Sequence, residues 1–327
     1  MVAEARDRRE AQSFDLLGVV LLSGALFSLI WGIITSQSLG WGSTVTLGFV
    51  IGSAAIFIGF ALWERVAPHP LIPLRLFRSV SLSAGTLLTI LVMFSLYGVL
   101  FFLTLYLERV HGFSPVAAGV RILPLTAVFV VSAPLAGWLT GRWGPRPPIS
   151  AGMALIGIAF VGLSSLRIDS PYIALWPWFV AIGFGMGFVL IAATQAVVAN
   201  APVDEAGVAS GLQQTATQLG GVLGTAVLGA VMTAGVAGVL AGHLVRAGLP
   251  SSLAARFSQA APLVAQGVAP VPPGTPPGLA RAITHASYLS FLSGLHVAMI
   301  VGAVVAFCGA ALALVIRRGR AVDGVAI

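Results

Sequence analysis

The sequence predicts an all-α integral membrane protein of about eight transmembrane helices. Three observations predict it. The 327 residues are 58% hydrophobic with a mean hydropathy of +1.01. Only 8% are charged, against roughly 25% in an ordinary soluble domain, too few to cover a water-facing surface. The apolar residues run continuously through long stretches, without the alternation that barrel strands would show.

A helix rises ~1.5 Å per residue, so ~20 apolar residues cross a ~30 Å hydrocarbon core. The stretches 15–35, 44–63, 81–106, 116–138, 148–166, 174–198, 211–235 and 289–316 meet that length. Punctuation separates them. Leu39-Gly40-Trp41-Gly42 is a short turn with an interfacial Trp, 64–80 mixes Pro with Arg, and Gly141 to Pro148 is a tight basic turn. Residues 236–288 form the only long connection. It is rich in Pro and Ala, with VAPVPPGTPPG at 268–278, and part of it is expected to be poorly ordered.

Eight spans place both ends on one side. That side holds Arg6, Arg8, Arg9, Arg65, Arg75, Arg78, Arg142, Arg146, Arg317, Arg318 and Arg320. The other holds Arg109, Arg121, Arg167, Arg246, Arg256 and Arg281, three of them in the long connection, which counts least. The positive-inside rule therefore predicts a multi-pass plasma-membrane protein with both termini cytoplasmic.

Every basic residue is Arg, so a P-loop or a pyridoxal Schiff base has no Lys to use. The net charge of +7 is spread over connections and does not read as a nucleic-acid surface. Cys308 stands alone, which leaves no intrachain disulfide. Residues 1–13 mix both charge signs ahead of a run too long for a signal-peptide core, so no cleavable signal is expected. The Arg-only, Ala/Gly-rich composition suggests a GC-rich bacterial genome.

Several stretches recur in an order that is known. Phe14-Asp15-Leu16-Leu17-Gly18 opens the first span, Trp41 follows it and Glu64 closes the second. Then come Pro70 to Arg78, Tyr106-Leu107-Glu108 with Gly112-Phe113-Ser114-Pro115, Ala118 to Pro124, the turn from Gly137 to Arg146, and Gln218-Leu219-Gly220-Gly221 with Gly224. In this order they resemble the C-terminal part of the fourteen-span drug:proton antiporters of the major facilitator superfamily, the multidrug-efflux permease type. The turn departs from that family in having Thr140-Gly141-Arg142, with no acidic residue before the Arg. Thr217 stands where relatives often carry Arg, and Glu108 where many have Gln.

The resemblance implies a cytoplasmic linker at 1–14, two central spans within 15–66, a cytoplasmic loop at 67–80, a six-helix C-terminal transporter bundle over 81–317 with an external loop at 236–288, and a cytoplasmic tail at 318–327. The family's first six spans would lie outside this chain. It implies secondary active export of lipophilic drug-like compounds, by proton antiport in the complete protein and without a cofactor. The partners would be the lipid bilayer, a small lipophilic substrate, protons and an N-terminal six-span half. A non-transporting truncated or accessory fragment is the alternative. A membrane-embedded enzyme is disfavoured, because His69, His111, His243, His285 and His296 are scattered without paired carboxylates.

On span 81–106, Thr86, Thr89, Met93, Tyr97, Leu100 and Thr104 fall on one stripe at 100° per residue. The stripe reads either as a substrate-facing wall or as packing inside the bundle. On span 174–198, Trp176 and Trp178 read as interface anchors, Gly183 and Gly187 as close packing, and Phe179, Met186 and Gln195 as cavity candidates. On span 211–235, the Gly221, Thr225, Gly229, Thr233 ridge reads as packing, while Gln213, Gln214, Thr217 and Gln218 are interhelical bonds or gating candidates. Gly137, Arg142, Gly144 and Arg146 of the basic turn join that gating or packing set. His296, Arg121 and Glu108 are the titratable candidates; the expected partners are Ser293 or another helix for His296, and Glu108 for Arg121. No Asp or Glu lies mid-span, so this chain alone is expected to lack the proton-coupling group, and no metal site is expected.

Overall fold

Capping residues and glycine turns set where the apolar runs become helices. In this computed structural model, which describes residues 15–68, 70–71, 74–198 and 206–316, the Asp15 carboxylate accepts the Gly18 N–H at 2.8 Å and opens α1 (Leu16–Leu39). Gly40, at φ 81°, closes it, and α2 runs Thr44–Val66. Ser79 caps α3 (Val80–Leu105), and Ser114 caps α4 (Pro115–Trp143), where Pro115 fills the first helical position. Gly144, at φ 83°, makes the reversal into α5 (Arg146–Leu163). Then follow α6 (Trp176–Val198), α7 (Ala206–Arg246), two short helices α8 (Ser251–Phe257) and α9 (Ala261–Ala265), and α10 (Pro277–Ala313). Among the described residues, eight helices are long and apolar enough to cross a membrane: α1 to α7 and α10. The expected 1–14 linker and 318–327 tail, with His69, lie outside the described residues.

The structure revises the boundaries of three elements. The third span does not stop at 106 but continues through a π-helical turn, Tyr106–Val110. α7 is 41 residues long and α10 is 37, both well beyond their most apolar windows. Arg246 in the last turn of α7 complements its C-terminal dipole, and Pro277 starts α10. The 236–288 connection is therefore only the stretch between Arg246 and Pro277, and it is folded rather than loose. Its apolar residues Leu249, Ala254, Ala261, Val264 and Ala265 are buried, with α8 and α9 packed on α7. Gly267, at φ 76°, presses its backbone onto the Arg109 stem, where a Cβ would sit 2.7 Å from Arg109 Cβ.

The described residues of Met1–Arg78 form one compact unit, an antiparallel hairpin of α1 and α2. Ser28 Oγ donates to the Phe49 carbonyl at 2.9 Å, and Ser53 Oγ to the Ala25 carbonyl at 2.9 Å. Gly32 lets α2 approach at Phe49 and Val50. At the open end the Trp63 indole donates to the Asp15 carboxylate at 2.9 Å, and the buried Glu64 carboxylate accepts the Leu71 N–H at 3.2 Å.

The described residues of Ser79–Ile327 form the second unit, a bundle of α3 to α7 and α10. α3 packs on α7, α6 and α10; α6 on α4 and α5; α10 on α5 and α7. Glycines make most of the close crossings. A Cβ on Gly224 would fall on the Phe94 backbone, one on Gly220 on the Ile90 carbonyl, and one on Gly98 on the Gly224 carbonyl. Of the expected ridge Gly221, Thr225, Gly229 and Thr233, Gly221 meets α3 at the Tyr97 ring, while the tightest backbone approach falls at its neighbours Gly220 and Gly224. Gly183 and Gly187 seat α6 on α4 at Leu125, Val128 and Ser132, as packing residues, and Gly185 meets Gly152 of α5.

Replacing Gly224 by Ala is expected to cost ~1–3 kcal/mol through overpacking against Phe94. Gly238→Ala, on an open face of the same helix, is expected to be neutral or stabilising by up to ~1 kcal/mol. Thermal unfolding in detergent compares the two, and equal losses would remove the special role of the α3–α7 crossing.

Candidate functional site

A polar side chain on an apolar helix must find a partner inside the protein or water outside it. One such buried group is the amide of Gln213 of α7, 8% exposed. Its Nε2 donates to Thr89 Oγ1 of α3 at 2.7 Å and to Thr194 Oγ1 of α6 at 3.3 Å, tying three helices together. The Thr89 hydroxyl in turn donates to its own helix at the Gly85 carbonyl. Gln213 Oε1 and the Thr86 hydroxyl are buried without a partner among the described residues. This node lies toward the end of the bundle that carries the Gly144 turn, where α3, α5 and α7 begin and α4, α6 and α10 end.

Around the node the helices carry polar groups that remain open. Tyr97 of α3 is 51% exposed, and its ring covers Gly221 of α7. Gln214 and Gln218 of α7 are exposed, as are Thr194 and Gln195 of α6, and the Gln195 amide lies beside Gly137 of α4. Exposed amides and a phenol on spans of this hydropathy are costly against lipid, so this face suits water or a ligand.

The structure corrects part of the expected wall. Thr86, Thr89 and Met93 are buried inside the bundle, and Phe179 is fully buried in the core, so none of the four faces an opening. The reason is the α3–α7 crossing, which lays the Thr89–Met93 side of α3 against Gly220. Met186 is partly buried against the core. Thr104, Thr217 and Thr225 are half-buried, and their hydroxyls donate to carbonyls one turn back in their own helices, at Leu100, Gln213 and Gly221. Of the expected cavity residues, Tyr97 and Gln195 remain open. At the basic turn, Arg142 lies over the Trp138 ring at 5.7 Å, and Arg146 points to the exposed surface.

The titratable candidates also find different partners. His296 Nε2 lies 2.7 Å from the Leu166 carbonyl; since a carbonyl only accepts, Nε2 carries the proton. Ser293 donates to Leu289 instead. Arg121 does not pair with Glu108 among the described residues. Its guanidinium covers the Phe113 ring at 3.6 Å and donates to the Ala117 carbonyl, because α4 turns that side chain toward the 111–113 turn. His111 stacks on Phe113 at 5.5 Å and meets Tyr106 edge-on at 4.8 Å. Burial holds the His111 imidazole below its ordinary value, and the Arg121 charge lowers it further. The carboxylates among the described residues, Asp15, Glu64, Glu108 and Asp169, all sit at helix ends or in connections.

Sequence reasoning missed Thr194 and the His111 stack. A usable sign for Gln213 was its register: it shares a helical face with Gly220 and Gly224, the face that meets α3.

Comparison with known proteins places this geometry. Residues 2–225 match the family model described as Major Facilitator Superfamily. The chain is 44% identical over 321 residues to the tetracenomycin C resistance and export protein of Streptomyces glaucescens, covering 98% of this chain and 60% of that protein. It is 32% identical over 241 residues to the multidrug resistance protein Stp of Mycobacterium tuberculosis, covering 72% of this chain and 44% of that protein. The chain thus spans 60% or less of the length of these relatives. A crystal structure of a bacterial homolog to the human lysosomal transporter Spinster, inward-facing and unoccupied, superposes with a TM-score of 0.52 at 22% identity, over 92% of this chain and 71% of that one, which speaks for the fold.

Because the folded state lowers the His111 pKa, the unfolded chain binds more protons below about pH 6.5 and stability falls as pH falls. Thermal stability between about pH 7.5 and about pH 5.5 is expected to drop more for the natural chain than for His111→Phe. Parallel curves would show that this ring does not titrate with folding.

Proposed function

The chain belongs to the Major Facilitator Superfamily, and from that premise we propose that it forms part of a secondary active transporter exporting lipophilic, drug-like compounds. The observation that carries this is the open polar face beside the Gln213 node. There Tyr97, Gln195, Gln214 and Gln218 stand exposed on predominantly apolar spans. An aromatic ring with neutral amides suits an apolar molecule that carries a few polar groups. The names of the two relatives, one of resistance and export and one of multidrug resistance, support the direction of transport.

In this proposal the branch is the fourteen-span drug:proton antiporters. α1 and α2 are its two central spans, and α3 to α7 with α10 are its second six-helix bundle. Both termini face the cytoplasm, on the arginine count, and the Gly144 turn lies on that side. Export is coupled to proton entry in the complete transporter. That no Asp or Glu lies mid-span in this sequence supports a coupling group supplied elsewhere in the complete transporter.

The test expresses the chain together with an N-terminal six-span half and follows loss of a fluorescent lipophilic cation from loaded cells. Efflux is expected to stop when an uncoupler collapses the proton gradient. Tyr97→Ala or Gln218→Ala is expected to slow it roughly three- to ten-fold, as for one lost polar contact of ~1 kcal/mol. Efflux no faster than in cells without the chain overturns transport, and efflux indifferent to the uncoupler overturns proton coupling.

A further inference from the structure

Where α4 ends and α5 begins beside the end of α10, the bundle holds a groove of about 690 Å³ lined by Trp143, Arg146, Pro147, Ser150, Ala151 and Leu314. Its depth in the bilayer follows from the helices. Three apolar spans terminate here, at Trp143, Arg146 and Ala313, so the groove lies where hydrocarbon gives way to headgroups. Ser150 Oγ donates to the Ala310 carbonyl at 3.1 Å, which closes α5 onto α10 beneath it. The same α5–α10 seam continues to Gly157, where the exposed Phe307 ring lies across the helix.

The lining is amphipathic in a particular way. Trp143 and Leu314 are half-exposed and give the groove apolar walls. Arg146 is its one charged side chain, and among the described residues no carboxylate or carbonyl pairs with it. Pro147 and Pro148 follow it, and neither has a backbone N–H, so the guanidinium rather than the helix start is the donor on offer. Arg142, the other cation of the turn, is taken up over Trp138, whose ring lies 6.4 Å from that of Trp143.

We propose that this groove binds one anionic phospholipid, with its phosphodiester on Arg146 and an acyl chain against Leu314 and the α5–α10 seam. A guanidinium offers two parallel N–H donors to a phosphate, and an indole sits well at the glycerol level. The uncompensated positive charge favours a headgroup of net negative charge over a zwitterionic one.

Native mass spectrometry of the purified protein in detergent tests this with dioleoylphosphatidylglycerol and dioleoylphosphatidylcholine as probes. Phosphatidylglycerol adducts are expected to exceed phosphatidylcholine adducts. Arg146→Gln is expected to lower the phosphatidylglycerol adducts about five-fold, the effect of one arginine near a charged headgroup, while Arg146→Lys retains most of them. Arg142→Gln makes the same charge change outside the groove and is expected to leave binding largely intact. Equal adducts of the two lipids, no response to Arg146→Gln, or an equal response to Arg142→Gln each overturns the proposal. A further arm adds inorganic phosphate alone. If it displaces the lipid or stabilises the protein as fully as phosphatidylglycerol does, the site recognises free phosphate and the lipid assignment is wrong.

Discussion

In hydrocarbon a leucine gains nothing by leaving lipid for a neighbouring helix, because the two surroundings are equally apolar. Helices there hold together where their backbones touch and their polar groups meet. This constraint organises the bundle. Gly98, Gly220 and Gly224 bring α3 and α7 into backbone contact, Gly183, Gly185 and Gly187 put α6 between α4 and α5, and Gly235 meets Gly294 where α7 crosses α10. At each of these places a methyl group would strike a main chain or a fixed side chain.

The same crossings decide which polar groups become structural and which stay open. Gln213 shares a face with Gly220 and Gly224, so the contact that buries those glycines buries its amide and leads it to Thr89 and Thr194. Gln214 and Gln218 lie off that face and remain exposed. The threonine hydroxyls of α3 and α7 mostly donate to their own helices, which satisfies them without fixing a neighbour. Serine performs the interhelical role more often: Ser95 reaches Gly302, Ser132 reaches Gly183 and Ser150 reaches Ala310. Each such bond is worth only ~0.6 kcal/mol on average in a membrane, so registry rather than strength is what they add.

The other end of the bundle is held by different chemistry. There the π-helical turn, Tyr106, His111, Phe113 and Arg121 form a continuous aromatic and cationic stack, and the Tyr172 hydroxyl donates to the Arg121 carbonyl. The pairing of Arg121 with Glu108 was a reasonable expectation from charge alone. It fails because Glu108 lies in the π turn, while α4 carries Arg121 toward Phe113. Its Pro and Ala content predicts that part of the connection after α7 is poorly ordered, yet its few apolar residues are buried, most of them on two short helices. Composition reports how many breakers a segment has, not whether a nearby helix offers its apolar side chains a surface.

The number, approximate position and type of the spans were settled by the sequence alone. A membrane helix closes its hydrogen bonds within itself, so a long uncharged run is enough to specify it, whatever its neighbours do. The inward face of each helix was decided only by tertiary structure. These spans are apolar all round, and lipid resembles a protein interior, so no periodicity in the sequence separates a lipid-facing residue from a buried one. The stripe of Thr86, Met93 and Tyr97 therefore reads equally as wall or packing from the sequence; Thr86, Met93 and the cavity candidate Phe179 are buried, while Tyr97, one turn beyond Met93, stays open with its ring over Gly221 of α7.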